Sequence, residues 1–454
     1  MKLNKYIFIQ LLFCCMVFAG CDKYLDVTPK GKTLLTTVTN YDQWLNDPVL
    51  TATTAAAYLN LLADNYDYVN LASPPVKPQE KIYTWQLQFT TDINDAPLIW
   101  GDHYGKINSF NTVLLGIDNA VGGTESQKRS LKAEALLGRA LEYFYLLNEY
   151  GKMYDPATAS TDLAVPFVTS NDVTQTVPGR STVTQIYQQI IGDVNAAIPD
   201  LPLDNTGNRY RGSTSAGYSL LARIYFYAGD YTNARKNAEL ALSNTRAVMI
   251  NYNGALPATN LLSIMPDVIY GRQVGGNFTP TLELMRTFAS NDLRVTKLYT
   301  STDGYKFITR GGTNFFPQSL TPVLLYVNTA TTVQEMKLII AEAAARSNDL
   351  NIALQQLDEV RKNRIATASY VPYSSTVPED VLQQVLLERS HEMPFNGLRW
   401  FDMRRLDKEN KMGTVNRYNA QGTAVFSLTS HSNRYTLQIP VQVLSFNPGM
   451  QQNP

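Results

Sequence analysis

Cysteine is almost missing from this sequence. The 454 residues include three, Cys14, Cys15 and Cys21. The first two lie in a stretch with the features of a cleaved export signal, so we expect one cysteine in the mature chain. Such a chain has no internal disulfide, and we expect neither a thiolate metal site nor a cysteine nucleophile. Its stability must come from a hydrophobic core, which a chain of this length can form in one or two lobes.

Net charge is missing as well. The chain has 39 basic and 39 acidic residues, a formal net charge of zero. Nucleic-acid-binding proteins usually carry a basic excess, so we expect no nucleic-acid partner. Tyrosine, in contrast, is abundant at 27 copies. A ring with a polar tip suits a wet surface that contacts a ligand, although many tyrosines also pack between helices.

The sequence has little that indicates catalysis. Its three histidines, His103, His391 and His431, are far apart. There is no His-Glu-x-x-His helix, no Gly-x-Ser-x-Gly elbow and no carboxylate-rich calcium loop. We expect the histidines to be packing or surface residues, and we expect no metal, no cofactor and no enzymatic activity. A glycosidase needs only two carboxylates across a cleft, so the sequence leaves that alternative open.

The N-terminal apolar run is too short to span a bilayer. It extends from Tyr6 to Phe18, after Lys2 and Lys5. Together with the small residues before Cys21, this pattern predicts a signal peptide over residues 1–20. A cysteine directly after Ala-Gly resembles the lipobox of bacterial lipoproteins. The resemblance implies that Cys21 becomes the lipidated first residue and that the lipid anchors the chain to a membrane.

One helical repeat is clearest between residues 218 and 242. Tyr218, Leu221, Ala222 and Tyr225 share one helix face, and a second helix carries Ala234, Ala238 and Ala241 at intervals of four and three. Gly229 separates the two helices. The order of bulky and small residues fits the tetratricopeptide pattern at nearly every position, although an ordinary helical hairpin is the alternative.

Similar periodicity recurs along the chain. It predicts helices over residues 51–62, 102–117, 131–150, 183–198 and 333–364. In the last of these, Asn348 takes the turn position where glycine is usual, because asparagine tolerates the left-handed conformation. Residues 22–50 have no clear period and are expected to form an extended leader. The predicted fold class is mostly α, a tetratricopeptide-like scaffold of helix pairs with irregular, loop-rich insertions and a few short strands.

Two irregular segments are the candidates for a ligand surface. The first, residues 64–100, is rich in proline and carries Tyr66, Tyr68 and Trp85. Long loops of this kind in a compact protein are usually functional or disordered, and flat rings can stack on sugars. For each ring a place in the core is the alternative, and Trp100 is the ring that we expect to be buried.

The second irregular segment, residues 246–325, interrupts the repeats and includes Arg272 and Phe278. Short strands are predicted there over residues 268–271, 306–308 and 323–327. A repeat array needs no such elements, which makes this insertion the second candidate for a ligand surface.

The most specific motif lies near the C-terminus. Residues 381–406 read VLQQVLLERSHEMPFNGLRWFDMRRL, and the chain closes with NPGMQQNP. These motifs, together with the lipobox and the helix pairs, resemble the SusD/RagB family of outer-membrane lipoproteins. The resemblance covers residue 21 to the C-terminus, divided into an N-terminal region at 21–245 and a C-terminal region at 246–454. Within the motif, residues 388–402 are implied to form a buried charged and aromatic network.

The resemblance also implies a function. Such proteins are displayed on the cell surface, sit on a SusC-like TonB-dependent barrel and capture a ligand, usually an oligosaccharide, for import. Since no motif locates the ligand contacts, they are predicted from position: Tyr66, Tyr68, Trp85, Arg272 and Phe278. A lid that captures peptides and a scaffold that binds only the barrel remain the alternatives.

Overall fold

The structure is a computed structural model that describes residues 35–90, 92–258, 261–316, 326–419 and 421–454. This part is mainly helical, with eight short strands in four two-stranded antiparallel ladders. The predicted fold class is therefore confirmed. Cys21 and the predicted signal peptide lie outside the described residues.

The helices of the described residues, in chain order, are α1 Val38–Leu45, α2 Pro48–Thr51, α3 Ala55–Leu62, α4 Pro78–Tyr83, α5 Leu98–Gly116, α6 Glu125–Tyr150, α7 Val183–Ala197, α8 Thr214–Tyr227, α9 Tyr231–Asn244, α10 Leu282–Met285, α11 Leu293–Leu298, α12 Val333–Arg346, α13 Leu350–Arg361, α14 Pro378–Glu392, α15 Leu398–Lys408 and α16 Val441–Phe446. The strands are β1 Leu163–Pro166, β2 Arg180–Thr182, β3 Gln273–Gly275, β4 Tyr299–Ser301, β5 Thr313–Phe315, β6 Tyr326–Asn328, β7 Val415–Tyr418 and β8 Ala424–Leu428.

The helices pack as the repeat pattern predicts. The pairs α5/α6, α8/α9 and α12/α13 are joined into an array, because α6 also packs on α7, α9 on α12 and α12 on α14. In α8/α9 the small residues Ala222, Ala234 and Ala238 are completely buried, which lets the two helices approach closely. The turns use left-handed residues at the expected places, with φ of 78° at Gly229 and 64° at Asn348.

The long helix α6 forms much of the core. A capping box starts it, in which the Thr124 hydroxyl accepts from the backbone N–H of Gln127 at 3.2 Å. Its Gly138 faces α5 so closely that a Cβ there would lie 2.3 Å from the ring of Phe110. Trp100 of α5 is 6% exposed, as expected for a core residue.

The start of the chain differs from the prediction. The described part of the expected leader contains α1 and α2, and the helix predicted from residue 51 begins at Ala55. Asp102 of α5 explains this later start. Its carboxylate accepts hydrogen bonds at 3.1 Å from the Thr53 hydroxyl and from the backbone N–H groups of Thr54 and Ala55. A side chain from another helix therefore helps to fix where α3 begins.

Two of the three strand predictions in the insertion were wrong in position. Residues 268–271 and 306–308 form no strand, while strands occur at β3, β4 and β5. Around Lys306 the backbone turns instead, because the carboxylate of Asp303 accepts from the N–H groups of Lys306 and Ile308. Of the third predicted strand, residues 323–325 lie outside the described residues, and residues 326 and 327 belong to β6, as predicted.

The C-terminal motif forms the buried charged network that the family resemblance implied. Arg294 pairs with Glu388 at 2.7 Å, and Arg389 pairs with Asp402 at 3.2 Å, all four side chains being almost fully buried. The ring of Trp400, which is not exposed, stacks on another aromatic side chain of the core. These residues connect α11, α14 and α15 and are not available to a ligand.

Candidate ligand-binding cleft

The two irregular segments predicted to hold the ligand lie side by side. Tyr66 of the first forms an antiparallel bridge with Pro280 of the second. On either side, the N–H of Asp67 donates to the carbonyl of Thr279 at 2.8 Å, and the N–H of Thr281 donates to the carbonyl of Asn65 at 3.1 Å. Residues as far as 217 positions apart in sequence therefore form one continuous surface.

A cavity of about 430 Å³ opens where these segments meet α3 and β3. We call it the aromatic cleft. Its walls carry three half-buried rings, Tyr58, Tyr66 and Tyr68, and three side-chain amides, Gln79, Gln273 and Asn277. A concave site of this size, with apolar walls and a few polar groups, is typical of small-molecule binding.

Two of these rings, Tyr66 and Tyr68, pack against the buried ring of Tyr83. Tyr66 meets Tyr83 edge to face at 6.4 Å between ring centroids, and Tyr68 lies 5.8 Å from the same ring. Burial, with smaller contributions from Tyr68, Tyr83 and Asp67, raises the pKa of Tyr66 to about 12. Its phenol is therefore neutral at physiological pH and can both donate and accept a hydrogen bond.

Four of these six side chains were missed in the sequence analysis: the amides of Gln79, Gln273 and Asn277, which carry neither a ring nor a charge, and the ring of Tyr58. Gln273 is held in place by the Tyr210 hydroxyl, which donates to its Oε1 at 2.5 Å, so its NH₂ group is left to face the cleft. Tyr58 lies on α3, inside a run of alanine and leucine that indicated only a helix. The only signal in the sequence was a single ring with a polar hydroxyl among the apolar residues of this helix.

Trp85 does not line the aromatic cleft, and its assignment as a ligand contact is corrected. The side chain is 1% exposed, and its indole N–H donates to the carbonyl of Leu62 at 2.9 Å. One ring face lies 4.0 Å from the guanidinium of Arg417. The residue has a positive φ of 53°, a conformation that bulky side chains rarely adopt, so the surrounding core holds it there.

Arg417 is the residue that holds this part of the cleft together. Its guanidinium lies between the rings of Tyr83 and Trp85, 4.0 Å from each centroid. It also donates to the carbonyls of Leu61, Ala63 and Tyr83 at 2.7 to 2.9 Å. Burial lowers the pKa of Arg417, against smaller opposing effects from Tyr83 and nearby carboxylates. One side chain of β7 thus fixes the end of α3 and the first irregular segment at Tyr83.

Arg272 and Phe278 are also largely buried. Arg272 is 5% exposed and donates to the carbonyls of Tyr210 and Gly271, which corrects its assignment as a ligand contact. Phe278 is 3% exposed and stacks on Phe395 with ring centroids 5.1 Å apart. Phe278 does line the aromatic cleft, as part of its wall. Of the five predicted contacts, Tyr66 and Tyr68 are the ones with substantial exposure there.

The described residues show no group of three or more metal-ligating side chains. His103 and His391 are packing residues at 1% and 4% exposure, and His431 lies at the surface, as the sequence indicated. No helix within the described residues is both long and apolar enough to cross a membrane.

Comparison with known proteins identifies the family. A family model described as starch-binding and associating with the outer membrane matches residues 23–226, and the model of the SusD family matches residues 334–454. This chain belongs to the SusD/RagB family. Among curated SusD relatives, a SusD-like protein of Bacteroides ovatus is 24% identical over 257 residues, which are 53% of this chain and 43% of the relative. The starch-binding protein SusD of Bacteroides thetaiotaomicron is 26% identical over 36% of this chain and 30% of its own length.

The SusD fold is seen in solved structures. A SusD superfamily protein from B. thetaiotaomicron superposes with a TM-score of 0.74 at 18% identity, covering 92% of this chain and 100% of that one. A SusD-like carbohydrate binding protein from Bacteroides vulgatus gives 0.68 at 18% identity, covering 91% and 97%. The chain thus spans these structures almost completely, whereas it spans less than half the length of the two curated relatives. At these identities the structural likeness establishes the fold alone.

Proposed function

We propose that this SusD/RagB protein is a cell-surface lipoprotein that captures an oligosaccharide and delivers it to a SusC-like TonB-dependent transporter. The family description, starch-binding with outer-membrane association, supports this role. In the proposal, the lipid on Cys21 anchors the chain in the outer membrane, and the aromatic cleft holds the sugar.

The composition of the aromatic cleft carries the proposal. Half-buried tyrosine rings offer flat faces to the CH groups of a sugar. The amides of Gln79, Gln273 and Asn277 offer donors and acceptors to its hydroxyls. Rings and amides together match the two kinds of surface that a sugar presents.

The cleft also lacks what hydrolysis would need. None of its described lining residues is an aspartate or a glutamate, whereas glycoside hydrolysis typically uses a pair of carboxylates across the bond. This composition supports binding without cleavage. Release of reducing sugar by the purified protein would contradict it.

The cleft is preformed, which favours affinity. Tyr66 and Tyr68 pack on buried Tyr83, which in turn packs on Arg417. These contacts fix the first irregular segment before a ligand arrives. A ligand therefore does not have to order this part of the chain, and less of its interaction energy is lost on binding.

Replacement of Tyr68 by alanine tests the cleft. We expect Tyr68→Ala to weaken binding of the cognate oligosaccharide by about 1 to 3 kcal/mol, the usual cost of losing a central aromatic contact. The oligosaccharide is first found by titration calorimetry of the purified protein against plant, host and microbial glycans, with mixed short peptides alongside. Tyr225→Ala, which removes a half-buried tyrosine of α8 outside the cleft, is the matched control and leaves the affinity unchanged.

The same titrations separate the alternatives. Saturable binding of peptides alone would favour a peptide-capture lid. If neither glycans nor peptides bind, the remaining role is a scaffold for the transporter. Glycan binding that survives both Tyr66→Ala and Tyr68→Ala would place the sugar elsewhere and contradict the assignment of the cleft.

A further inference from the structure

A second cavity, of about 610 Å³, lies between residues 176–180 and the C-terminal segment 446–451. We call it the C-terminal cavity. None of its described lining residues belongs to the aromatic cleft. It is large enough to hold the side chains of several residues. The proposed binding of a sugar in the aromatic cleft does not involve it.

Arg180 supplies the charge of this cavity. Its guanidinium donates to the carbonyls of Leu163, Ala164 and Gln451 and to the side-chain oxygen of Asn453, at 2.6 to 3.1 Å. These bonds use four of the five N–H donors of an arginine and leave one on Nη1. The guanidinium is thus held in a fixed orientation with one donor to offer.

No carboxylate of the described residues pairs with this charge. Among the described residues Arg180 makes no ion pair, and the described lining of the C-terminal cavity contains no aspartate or glutamate. Burial lowers the pKa of Arg180 to about 10, against a smaller opposing effect of Tyr104. The cavity therefore has a partly desolvated positive charge, which an anionic group would stabilise.

Most of the other described wall residues are apolar, and two of them are exposed to solvent. Phe446 is 78% exposed, and Val177, another residue of the wall, is 42% exposed. Phe446 ends α16, a helix with four apolar residues among six and none of them buried. Contiguous exposed apolar surface next to a fixed charge is typical of a protein-binding site.

The wall of this cavity is rigid. Asn453 donates to the carbonyls of Tyr150 and Leu437, and Gln452 forms hydrogen bonds in both directions with Ile439. The N–H of Met450 also donates to the carbonyl of Asn447 at 2.9 Å. The segment that presents Phe446 is therefore tied to the core from its far end, and a partner would meet a preformed surface.

We propose that the C-terminal cavity is a docking site for a partner polypeptide, which inserts a bulky apolar side chain against Phe446 and a neighbouring carboxylate against Arg180. Charge complementarity argues for the carboxylate, since the single charged group of the cavity is a cation. The mostly apolar walls argue for a polypeptide over a sugar, because they offer few partners to a row of hydroxyls. The site does not depend on the function of the aromatic cleft.

Short peptides test the proposal with the purified protein. The probes are fluorescently labelled, end-blocked pentapeptides with Phe-Asp or Leu-Asp at the centre, and matched sets with Asn or Lys in place of Asp. Fluorescence anisotropy measures their binding. We expect the Asp peptides to bind about tenfold more tightly than the Asn peptides, and the Lys peptides more weakly still, because only the carboxylate pairs with Arg180.

Gly449 allows a matched pair of variants. A Cβ added there meets no atom within 4 Å outside its chain neighbours, so we expect a substitution to leave the fold intact. Gly449→Glu places a competing carboxylate in the cavity and is expected to weaken Asp-peptide binding about tenfold, while the isosteric Gly449→Gln has a much smaller effect. Phe446→Ser is expected to weaken all the peptides, with unchanged glycan binding as a control for folding.

Several results would overturn this proposal. They are equal binding of Asp and Lys peptides, binding of no peptide at all, and a Gly449→Glu variant that binds as the unchanged protein does. Displacement of the peptides by a uronic-acid oligosaccharide, or by vesicles of anionic lipid, would assign the cavity to one of those ligands and would also overturn it.

Discussion

Trp85→Ala is expected to lower the free energy of unfolding by about 3 to 5 kcal/mol, the usual cost of removing a large buried aromatic side chain. The ring is 1% exposed and fills the space between the end of α3 and Arg417. Its removal leaves a cavity, and the carbonyl of Leu62 loses its indole donor. The measurement is urea unfolding followed by circular dichroism, in parallel for the variant and the unchanged protein.

Trp44→Ala is the control for this experiment. Trp44 also donates its indole N–H to a backbone carbonyl, that of Ser109, but it is half-buried, so its removal is expected to cost less. A Trp85→Ala protein with unchanged stability and weaker glycan binding would show that the ring contacts the ligand. That result would contradict the burial described here.

Removal of the His103 side chain is expected to destabilise the protein by a similar amount. His103 lies in the core between two carboxylates, with Nδ1 2.7 Å from Glu142 and Nε2 3.1 Å from Glu149. His103→Ala leaves both carboxylates buried without their cationic partner, and breaking a buried ion pair from one side costs about 3 to 5 kcal/mol. His431→Ala, at an exposed histidine, is the control and is expected to change stability by less than about 0.5 kcal/mol.

The same histidine makes stability depend on pH. Burial alone would lower the pKa of His103, but Glu149 and Glu142 outweigh burial and raise it from the ordinary 6.5 to about 10. The folded state therefore keeps a proton that the unfolded chain loses above pH 6.5. The contribution of His103 to stability is fully present below that pH and is lost as pH rises to about 10, by up to about 1.4 kcal/mol per pH unit.

Unfolding curves at several pH values test this dependence. The difference in unfolding free energy between the unchanged protein and His103→Ala is expected to shrink as pH rises from neutral to 10. Taking the difference removes the titration of shared groups that do not interact with His103. A difference that is constant with pH would show that His103 is neutral in the folded protein.

The repeats could be predicted from sequence because their signals are local. The spacing of Tyr218, Leu221 and Ala222 reflects one helix face, and Gly229 and Asn348 mark turns where the backbone is left-handed. Nothing from elsewhere in the chain is needed to interpret these patterns. The family motif near the C-terminus is equally local, and its residues do form the buried network expected of them.

The site could be predicted only in part, because long-range contacts decide it. The irregular segments at residues 64–100 and 246–325 do meet, as expected. Trp85 and Arg417 show why the sequence could not predict which single rings are buried in the core and which are exposed. Arg417 binds the carbonyl of Ala63 from 354 positions further along the chain, and no local pattern indicates that contact. Once it is formed, Trp85 becomes core, and Tyr66 and Tyr68 remain at the cleft. The later start of α3 has the same cause, since the capping Asp102 comes from another helix.

A crystal structure of the protein with the oligosaccharide found by calorimetry tests the central claim most directly. The account predicts a sugar ring against Tyr66 or Tyr68 in the aromatic cleft, with hydroxyls within hydrogen-bonding distance of the amides of Gln273 or Asn277. Sugar bound at another surface, with this cleft empty, would contradict it.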